Sequence, residues 1–295
     1  MGKLVVAPHM RLHEWVAVEK GYFEKVGLDC DLQDQLLSAA GVKHDLGDRV
    51  GAYQTFERGR TCDVSSACHW TVNVAAASGH GRLYSKAYSV APCGVFVPAD
   101  SDVKRPEDLA GIPVSAGFQS GSHYSTIQAL EPFLAPEEIE LSFGDGLLFK
   151  RMERLIDGEV PAASLFSGPY YFVQQLGFRK VVDSSFMMAA LVADDAKPGD
   201  VEKFFEALRM AQTDIDTRPE LYTHYYREEF PERFRDLMDT RFFGPGERIV
   251  FEPYTREIFE SSRAWISERG IFEEGIGSRT YEETVHAAAA GPRLN

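Results

Sequence analysis

The stretch VVAPHMRLHEWVAVEKGYFEKVGLDCDL, residues 5–32, joins a short apolar strand to a helix through a loop rich in ring and charged side chains. Apolar residues recur at helical spacing over 12–26, and Gly27 is typical of a helix C-terminus. Short apolar runs on either side predict strands at 4–6 and 28–32. A strand, a helix and a strand in this order indicate the start of an α/β fold.

The composition limits the class of protein. The 295 residues can form one large domain or two medium ones, and an apolar content of 44% is typical of a globular protein. The net charge is −14 and the pI is near 5.1, so the chain repels phosphate backbones and we exclude nucleic acid as a partner. No apolar run reaches the ~18 residues of a membrane-spanning helix, so we predict no membrane span.

The N-terminus leaves two compartments open. No apolar segment and no small-residue cleavage site precede the first strand, so we expect a cytoplasmic protein if Met1 is the native start. If a signal peptide has been removed, we expect a periplasmic or extracellular protein.

The cysteines are Cys30, Cys62, Cys68 and Cys93, and they form neither a CxxC pair nor the spacing of a structural zinc site. We therefore predict no metal and no cofactor. Cys62 and Cys68 can pair in a disulfide, but free thiols are the favoured interpretation for an acidic chain without an export signal.

Strand and helix signals continue to alternate downstream. Residues 63–67 predict a strand, 122–134 predict a helix, and the chain from Val201 onward is mostly helical in pattern. Two long apolar runs, 90–97 and 186–192, suit strands that cross between lobes. The alternation predicts an α/β fold with mostly parallel sheets.

The loop after the first strand is a candidate ligand wall. In open α/β sheets, ligands bind beyond the carboxyl ends of the strands, which is where His9, Arg11, His13 and Trp15 lie. The alternative is that the two histidines cap the helix or face solvent.

The segment FQSGSHYSTIQALEP, residues 118–132, predicts an anion site. Gln119 to Ser122 lead into a helix whose first N–H groups have no intrahelical partner and whose dipole favours an anion. Gly121 lets the main chain approach the ligand, Ser120 and Ser122 add hydroxyl donors, and His123 adds a donor whose charge is tunable near neutral pH. The alternative is an ordinary helix with a serine cap.

The segment SSACHWTVN, residues 65–73, places Cys68 beside His69, which suggests a thiolate nucleophile. Adjacent side chains on a helix point about 100° apart, so His69 is not the natural base for this thiol. Candidate bases then come from other loops: His9, His13 and His123. The alternative is that Cys68 is a small buried apolar residue. Trp70 either belongs to the core or stacks on a ligand.

Several motifs resemble the periplasmic solute-binding fold, including the sulfonate, nitrate and taurine binders and the thiamin-pyrimidine-precursor synthases. VAVEKGYFEKVGLDCDL resembles that family's opening A-x-x-KGYF-x-x-x-GL-x-V-x-L, and GRTCDVSSACHW resembles its G-x-x-D-V segment. VFVPADSDVKRPEDLAGIPVSAGFQSGSHY and RLIDGEVPAASLFSGPYY resemble two later motifs. The resemblance covers roughly residues 5–192 and is more specific for the fold than for the ligand.

The resemblance implies two α/β lobes of the type II arrangement, joined by two crossing strands at 90–97 and 186–192. We expect lobe one at 1–91 plus 191–295 and lobe two at 92–190. The ligand would lie in the cleft between them, and the lobes would close on it by a hinge motion.

The resemblance also implies that four loops meet in this cleft: 8–15, 65–70, 119–124 and 166–171. The predicted ligand-binding residues are His9, Arg11, His13, Ser66, His69, Trp70, Gln119, Ser120, Gly121, Ser122, His123, Ser167 and Tyr170.

Two functions follow. The first is a solute-binding or sensor protein for a small anionic organic metabolite, with an ABC importer as partner if the protein is exported. The second is a cytoplasmic decarboxylase, desulfinase or related lyase or hydrolase that uses Cys68 with His9 or His13 on a small, aromatic acid. The cysteine cluster of the pyrimidine-precursor synthases is missing, since no cysteine follows Cys93. The biphenyl-sulfinate desulfinase has its nucleophilic cysteine after the first strand, where this chain has Pro8 and His9.

Overall fold

The computed structural model describes residues 3–9, 11–33, 62–144, 148–272 and 276–288. The strands are β1 Leu4–Ala7, β2 Cys30–Leu32, β3 Val64–Cys68, β4 Arg82–Leu83, β5 Tyr88–Ala91, β6 Cys93–Val97, β7 Val114–Ser115, β8 Leu141–Ser142, β9 Ala162–Phe166, β10 Arg179–Asp183, β11 Phe186–Val192 and β12 Arg248–Val250. The α-helices are α1 Leu12–Glu19, α2 Tyr22–Lys25, α3 His69–Ala77, α4 Gly121–Leu130, α5 Leu148–Ile156, α6 Ser167–Gln175, α7 Pro198–Thr217, α8 Tyr226–Glu229, α9 Glu232–Arg235, α10 Arg256–Glu268 and α11 Tyr281–Thr284.

These strands form two sheets, which define two lobes. Lobe one holds a seven-stranded sheet in the order β12-β5-β11-β3-β1-β2, with β4 paired to β11. Lobe two holds a five-stranded sheet in the order β10-β6-β9-β7-β8. The predicted two-lobed α/β architecture is therefore confirmed.

The expectation of mostly parallel sheets is wrong. Strand β1 runs parallel to β2 and β3, and β7 runs parallel to β8 and β9. The other strand pairs of the described residues are antiparallel. The strands on either side of the two crossings run antiparallel to their neighbours in both sheets. An alternation of helix and strand signals in the sequence does not reveal the direction of a strand.

The chain crosses between the sheets at two points, near both of the predicted crossing runs. It leaves lobe one after Ala91, passes through Pro92 and enters lobe two at Cys93. It returns between Asp183 and Phe186. The lobe boundaries remain a prediction. We propose that lobe two ends between Asp183 and Phe186 rather than at residue 190.

The predicted helix over 12–26 is broken in two. Gly21 has φ of +63°, in the left-handed region that glycine adopts at no steric cost, and it separates α1 from α2. Glycine inside an apolar-periodic segment can therefore end a helix before the pattern does.

Among the described residues, no helix is both long and apolar enough to cross a membrane.

A C-terminal segment, residues 219–243, packs against both lobes, and we call it the strap. On lobe two, the ring of Phe230 lies 5.1 Å from Phe149 and 5.3 Å from Phe172, measured between centroids. On lobe one, Tyr225 stacks on Trp15 with centroids 5.7 Å apart. The strap therefore ties α1 to α5 and α6 through one continuous apolar core.

Polar contacts fix the strap on the lobe-two side. Arg233 forms ion pairs with Glu153 at 3.1 Å and with Asp157 at 2.9 Å. The side chain of Gln175 donates to the carbonyl of Leu237 at 2.8 Å. These partners are partly exposed, so the apolar contacts of Phe230 supply most of the strap's stabilisation.

We expect Phe230→Ala to lower the free energy of unfolding by about 3–5 kcal/mol, because the ring is 1% exposed and leaves a cavity between the strap and lobe two. Phe133→Ala is the matched control, since that ring is 45% exposed and should cost less than about 0.5 kcal/mol. Urea unfolding measures both values. Equal losses in the two variants would show that the strap does not depend on this ring.

Candidate functional site

Four helices begin where four strands end, and we call this region the junction. Strands β1, β3, β7 and β9 lead into α1, α3, α4 and α6 respectively. Phe186 lies among these segments, with its ring centroid 5.7 Å from Phe166 and 6.4 Å from Trp70. A Cβ at Gly121 would lie 2.4 Å from the ring of Phe186, so the two lobes meet here in direct contact.

Two residues of the junction have unusual main-chain geometry. Gln119 has φ of +49° and Ser167 has φ of +55°, and they are the non-glycine residues with positive φ among those the structure describes. A left-handed conformation costs an L-residue roughly 1–2 kcal/mol, so contacts around it must hold it. Such strain is concentrated at functional sites, and it marks the N-termini of α4 and α6.

The N-terminus of α4 offers main-chain donors. The N–H groups of His123 and Tyr124 donate to the carbonyl of Ser120 at 2.9 and 3.3 Å. Within the described part of the chain, the N–H groups of Gly121 and Ser122 have no acceptor. They lie at the positive end of the helix dipole and can bind an anion.

The predicted serine donors are already engaged. The hydroxyl of Ser122 is fully buried, accepts from the N–H of Gly117 at 2.9 Å and from Arg151 Nη2 at 3.3 Å. The hydroxyl of Ser120 donates to the carbonyl of Gly117 at 2.8 Å and lies 2.9 Å from the Ser122 oxygen. Each hydroxyl proton therefore has an internal acceptor, and neither serine side chain is left to donate to a ligand.

His123 is a neutral donor rather than a tunable charge. Its Nδ1 accepts from the N–H of Gln119 at 3.1 Å, which places the ring proton on Nε2. Burial among Phe118, Tyr124 and Phe143 lowers its pKa to about 4. The expectation of a charge that changes near neutral pH is wrong, because the pocket desolvates the imidazolium.

His9 forms a pair with a carboxylate that the sequence analysis missed. Its Nδ1 lies 3.0 Å from Glu247 Oε2, and its ring stacks on Phe166 at 6.4 Å between centroids. Ser89 and Arg11 also donate to Glu247. Burial alone would raise the pKa of Glu247, but Arg11 and the bonds from His9 and Ser89 hold it well below its usual value.

Arg11 is not presented to a ligand. Its guanidinium donates to Glu14 at 2.8 and 3.0 Å and to Glu247 at 3.1 Å, and the side chain is buried. One cation between two carboxylates gives Arg11, Glu14 and Glu247 together a formal charge of −1, counted with His9 neutral. A ligand's acidic group therefore meets repulsion here, in contrast to the α4 side.

His13 faces away from the junction. Its Nε2 lies 2.6 Å from Gln212 Oε1 on α7, and that oxygen also accepts from the N–H of Ile249 at 2.7 Å. Burial, followed by the charge of Arg11, lowers the pKa of His13 to about 4. His13 is a neutral core residue between α1 and α7, and we withdraw it as a ligand or a base.

The geometry does not support Cys68 as a nucleophile. Its sulfur lies 3.0 Å from Thr71 Oγ1, and burial raises the pKa of the thiol to about 11. His69 instead contacts the hydroxyls of Tyr254 at 3.0 Å and Ser262 at 3.2 Å, and burial lowers its pKa to about 3. Among the described residues, the thiol has neither a base nor an activating charge, and none of the four cysteines forms a disulfide.

The remaining predicted residues divide between the core and the junction. Trp70 is buried against Tyr124, Phe186 and Trp265 as part of the core. The hydroxyl of Tyr170 accepts from Lys180, a residue of the edge strand β10. Ser167 starts α6 at the junction, and Ser66 is a half-buried residue of β3.

The strap adds a buried carboxyl group that no sequence motif indicated. Among the residues that the structure describes, neither carboxylate oxygen of Glu229 nor the hydroxyl of Tyr226 has a hydrogen-bond partner. Burial, with Glu14 nearby, raises the pKa of Glu229 well above its usual value.

The described residues contain no cluster of three or more histidine, cysteine or acidic side chains that could hold a metal.

Comparisons with known proteins identify the fold. No protein-family model matches the sequence, and no curated protein sequence matches it. The alkanesulfonate-binding protein SsuA from Xanthomonas axonopodis pv. citri, bound to MOPS, has a TM-score of 0.67 at 14% identity, covering 97% of this chain and 98% of that one. The periplasmic aliphatic sulphonate binding protein SsuA from Escherichia coli has a TM-score of 0.66 at 13% identity, covering 97% of each chain.

An enzyme shares the same architecture. The desulfurization enzyme DSZB has a TM-score of 0.63 at 14% identity, covering 97% of this chain and 96% of that one. Binding proteins and an enzyme are therefore both found among the structural neighbours. The likenesses confirm that the chain has the two-lobed periplasmic-binding-protein fold.

We expect Glu229→Gln to stabilise the protein more at pH 7.5 than at pH 5. The pKa of Glu229 is raised in the folded state, so its ionisation favours unfolding as the pH rises through the unfolded pKa. The difference in unfolding free energy between variant and parent should grow by up to about 1.4 kcal/mol per pH unit above that pKa. Urea unfolding at several pH values measures it.

Glu228→Gln is the matched control, because Glu228 is exposed in the same helix. Its effect on stability should change by less than about 0.5 kcal/mol over this pH range. Parallel pH profiles for the two variants would contradict a neutral Glu229.

Proposed function

We propose that the protein binds a small anionic organic molecule, a carboxylate or a sulfonate, in the junction as a solute-binding or sensor protein. The observation that carries the proposal is the N-terminus of α4, a ten-residue helix whose Gly121 and Ser122 N–H groups have no acceptor within the described residues. The sulfonate-binding proteins among the structural neighbours support the same chemistry.

The charges of the junction give the ligand an orientation. The acidic group lies at α4, because the Arg11, Glu14 and Glu247 group carries a net negative charge on the other side. The rings of Phe166 and Phe186 lie between these two ends and suit an apolar or aromatic body. The proposed ligand is therefore an acid at one end only.

The partner depends on the compartment, for which both alternatives stay predictions. If the protein is exported, it delivers its ligand to an ABC importer. If it stays in the cytoplasm, it acts as a sensor whose lobes respond to the ligand.

The pair of His9 and Glu247 supports a second candidate function, an enzyme acting on a small aromatic acid. A carboxylate that holds Nδ1 of an imidazole leaves Nε2 to accept or donate a proton. The desulfurization enzyme among the neighbours shows that this fold can carry catalysis. In this candidate enzyme, His9 is the acid–base group, and Cys68 takes no part in the reaction.

We expect isothermal titration calorimetry to detect binding of at least one acid among ethanesulfonate, MOPS, benzoate and benzenesulfinate. Gly121→Ala should weaken that binding by about tenfold to a hundredfold, the equivalent of the ~1.5–3 kcal/mol of hydrogen bonds to a charged group. The reason is that the added Cβ displaces Phe186 and the N–H groups beside it.

Gly199→Ala is the matched control, because a Cβ at Gly199 meets no atom within 4 Å. It should leave the affinity unchanged, and the unfolding midpoint of each variant shows that it is folded. Failure of all four acids to bind, or equal affinity in the parent and Gly121→Ala, would refute the proposed site.

Turnover distinguishes the two functions. If the protein is a binder, benzenesulfinate and benzoate remain intact on long incubation, with no release of sulfite or carbon dioxide. If it is an enzyme, one of these products appears, and His9→Gln and Glu247→Gln abolish its release while acid affinity stays within a few fold. We expect Cys68→Ser to retain the acid affinity of a binder or the turnover of an enzyme. Loss of turnover in Cys68→Ser alone would contradict the role given to His9.

A further inference from the structure

Gln119 is the point at which lobe one holds the loop before α4. Its carbonyl accepts from Thr71 Oγ1 at 3.1 Å, and its side-chain amide donates to the carbonyl of Ile271 at 3.2 Å. Its N–H donates to His123 Nδ1 at 3.1 Å. Two of these three partners belong to lobe one or to the segment after α10, and one belongs to α4 itself.

The main chain of Gln119 needs these contacts. With φ of +49°, it has a conformation that is unfavourable for residues with a Cβ, and among the described residues the bond to His123 is its one hydrogen bond within lobe two. When the lobes separate, the bonds from Thr71 and to Ile271 break together. The peptide planes at Gln119 and Ser120 can then rotate, and they carry the N-terminus of α4 with them.

The buried Cys68 orients this contact. Its thiol remains protonated, because burial raises its pKa to about 11, and it lies 3.0 Å from Thr71 Oγ1. The thiol therefore donates to Thr71, whose own proton is directed to the carbonyl of Gln119. The chain of donors runs in one direction, from β3 of lobe one to the α4 loop of lobe two.

We propose that Thr71 is a positioning residue that couples closure of the lobes to the geometry of the α4 N-terminus, acting through the main chain of Gln119. The proposal rests on the proposed function in one respect, that this N-terminus is where the acid binds. The donors at Gly121 and Ser122 then take their binding arrangement when the lobes are closed. Closure and acid binding thereby favour each other.

The first experiment needs no ligand. Thr71→Val keeps the shape of the side chain and removes the donor, and hydrogen exchange of the unliganded protein is followed by mass spectrometry in peptides spanning residues 117–124. We expect at least a fivefold faster exchange in these peptides. Thr284→Val is the matched control, because it removes a buried hydroxyl that donates to the carbonyl of Tyr281 at 2.7 Å, and it should leave residues 117–124 unchanged.

The second experiment separates positioning from general packing. Glycine adopts the left-handed conformation without strain, so Gln119→Gly removes what Thr71 is proposed to hold. In that background, Thr71→Val should reduce the affinity for ethanesulfonate or MOPS by less than twofold, compared with at least fivefold in the parent. A packing role of Thr71 would give the same loss in both backgrounds.

The outcomes distinguish the two proposals. Unchanged exchange in Thr71→Val, or equal losses of affinity in both backgrounds, would overturn the positioning role and leave the acid site intact. Faster exchange in Thr71→Val supports the coupling of the loop to lobe one whether or not an acid binds. Faster exchange in a protein that binds none of the four acids would overturn the link to binding, and with it the proposed function.

Discussion

The contact between Phe186 and Gly121 is the constraint on which the junction depends. Phe186 is the first residue of the strand that returns to lobe one, and its ring occupies the space where any other residue at position 121 would place a Cβ. The same ring meets Phe166 at the end of β9 and Trp70 at the start of α3. One side chain beside a crossing point thus aligns segments of both lobes, and the helix N-termini around it are brought together as a consequence.

Burial decides which of the polar groups in this region stay charged. The guanidinium of Arg11 stays charged between Glu14 and Glu247, whereas the imidazoles of His13, His69 and His123 are neutral because burial lowers the pKa of each ring. The junction therefore has a carboxylate-rich end near His9 and an end near α4 whose main-chain donors are uncharged. In a chain of net charge −14, the acid site that we propose relies on oriented N–H groups.

The sequence was informative where a short segment sets its own geometry. The sequence predicts a helix that begins at Ser122, and α4 begins one residue earlier, at Gly121, because a run of glycine and serine before apolar periodicity is a local signal. The left-handed Gln119 has no such signal, since lobe one imposes it through Thr71 and Ile271. The partner of His9 was missed for the same reason: Glu247 lies 238 residues away and meets His9 through the pairing of β12 with β5.

Residue types with several roles gave the weakest predictions. Cys68 and His69 looked reactive as neighbours in the sequence, but β3 ends and α3 begins between them, and their side chains bond to different partners. The strap could not be predicted from the sequence, because its short helices have little periodicity. Its apolar face becomes evident only where it packs against α5 and α6. Whether a segment forms a helix or a strand was therefore largely predictable from the sequence. The direction of the strands, the burial of polar side chains and their long-range partners were not.

The central claim is that an acid binds where the N-terminus of α4 meets the other lobe. A crystal structure of the protein grown with MOPS or ethanesulfonate tests this claim most directly. The account predicts sulfonate density within hydrogen-bond distance of the N–H groups of Gly121 and Ser122, with the rest of the molecule directed toward Phe166 and His9. Sulfonate density beside Arg11, or outside the junction altogether, would contradict it.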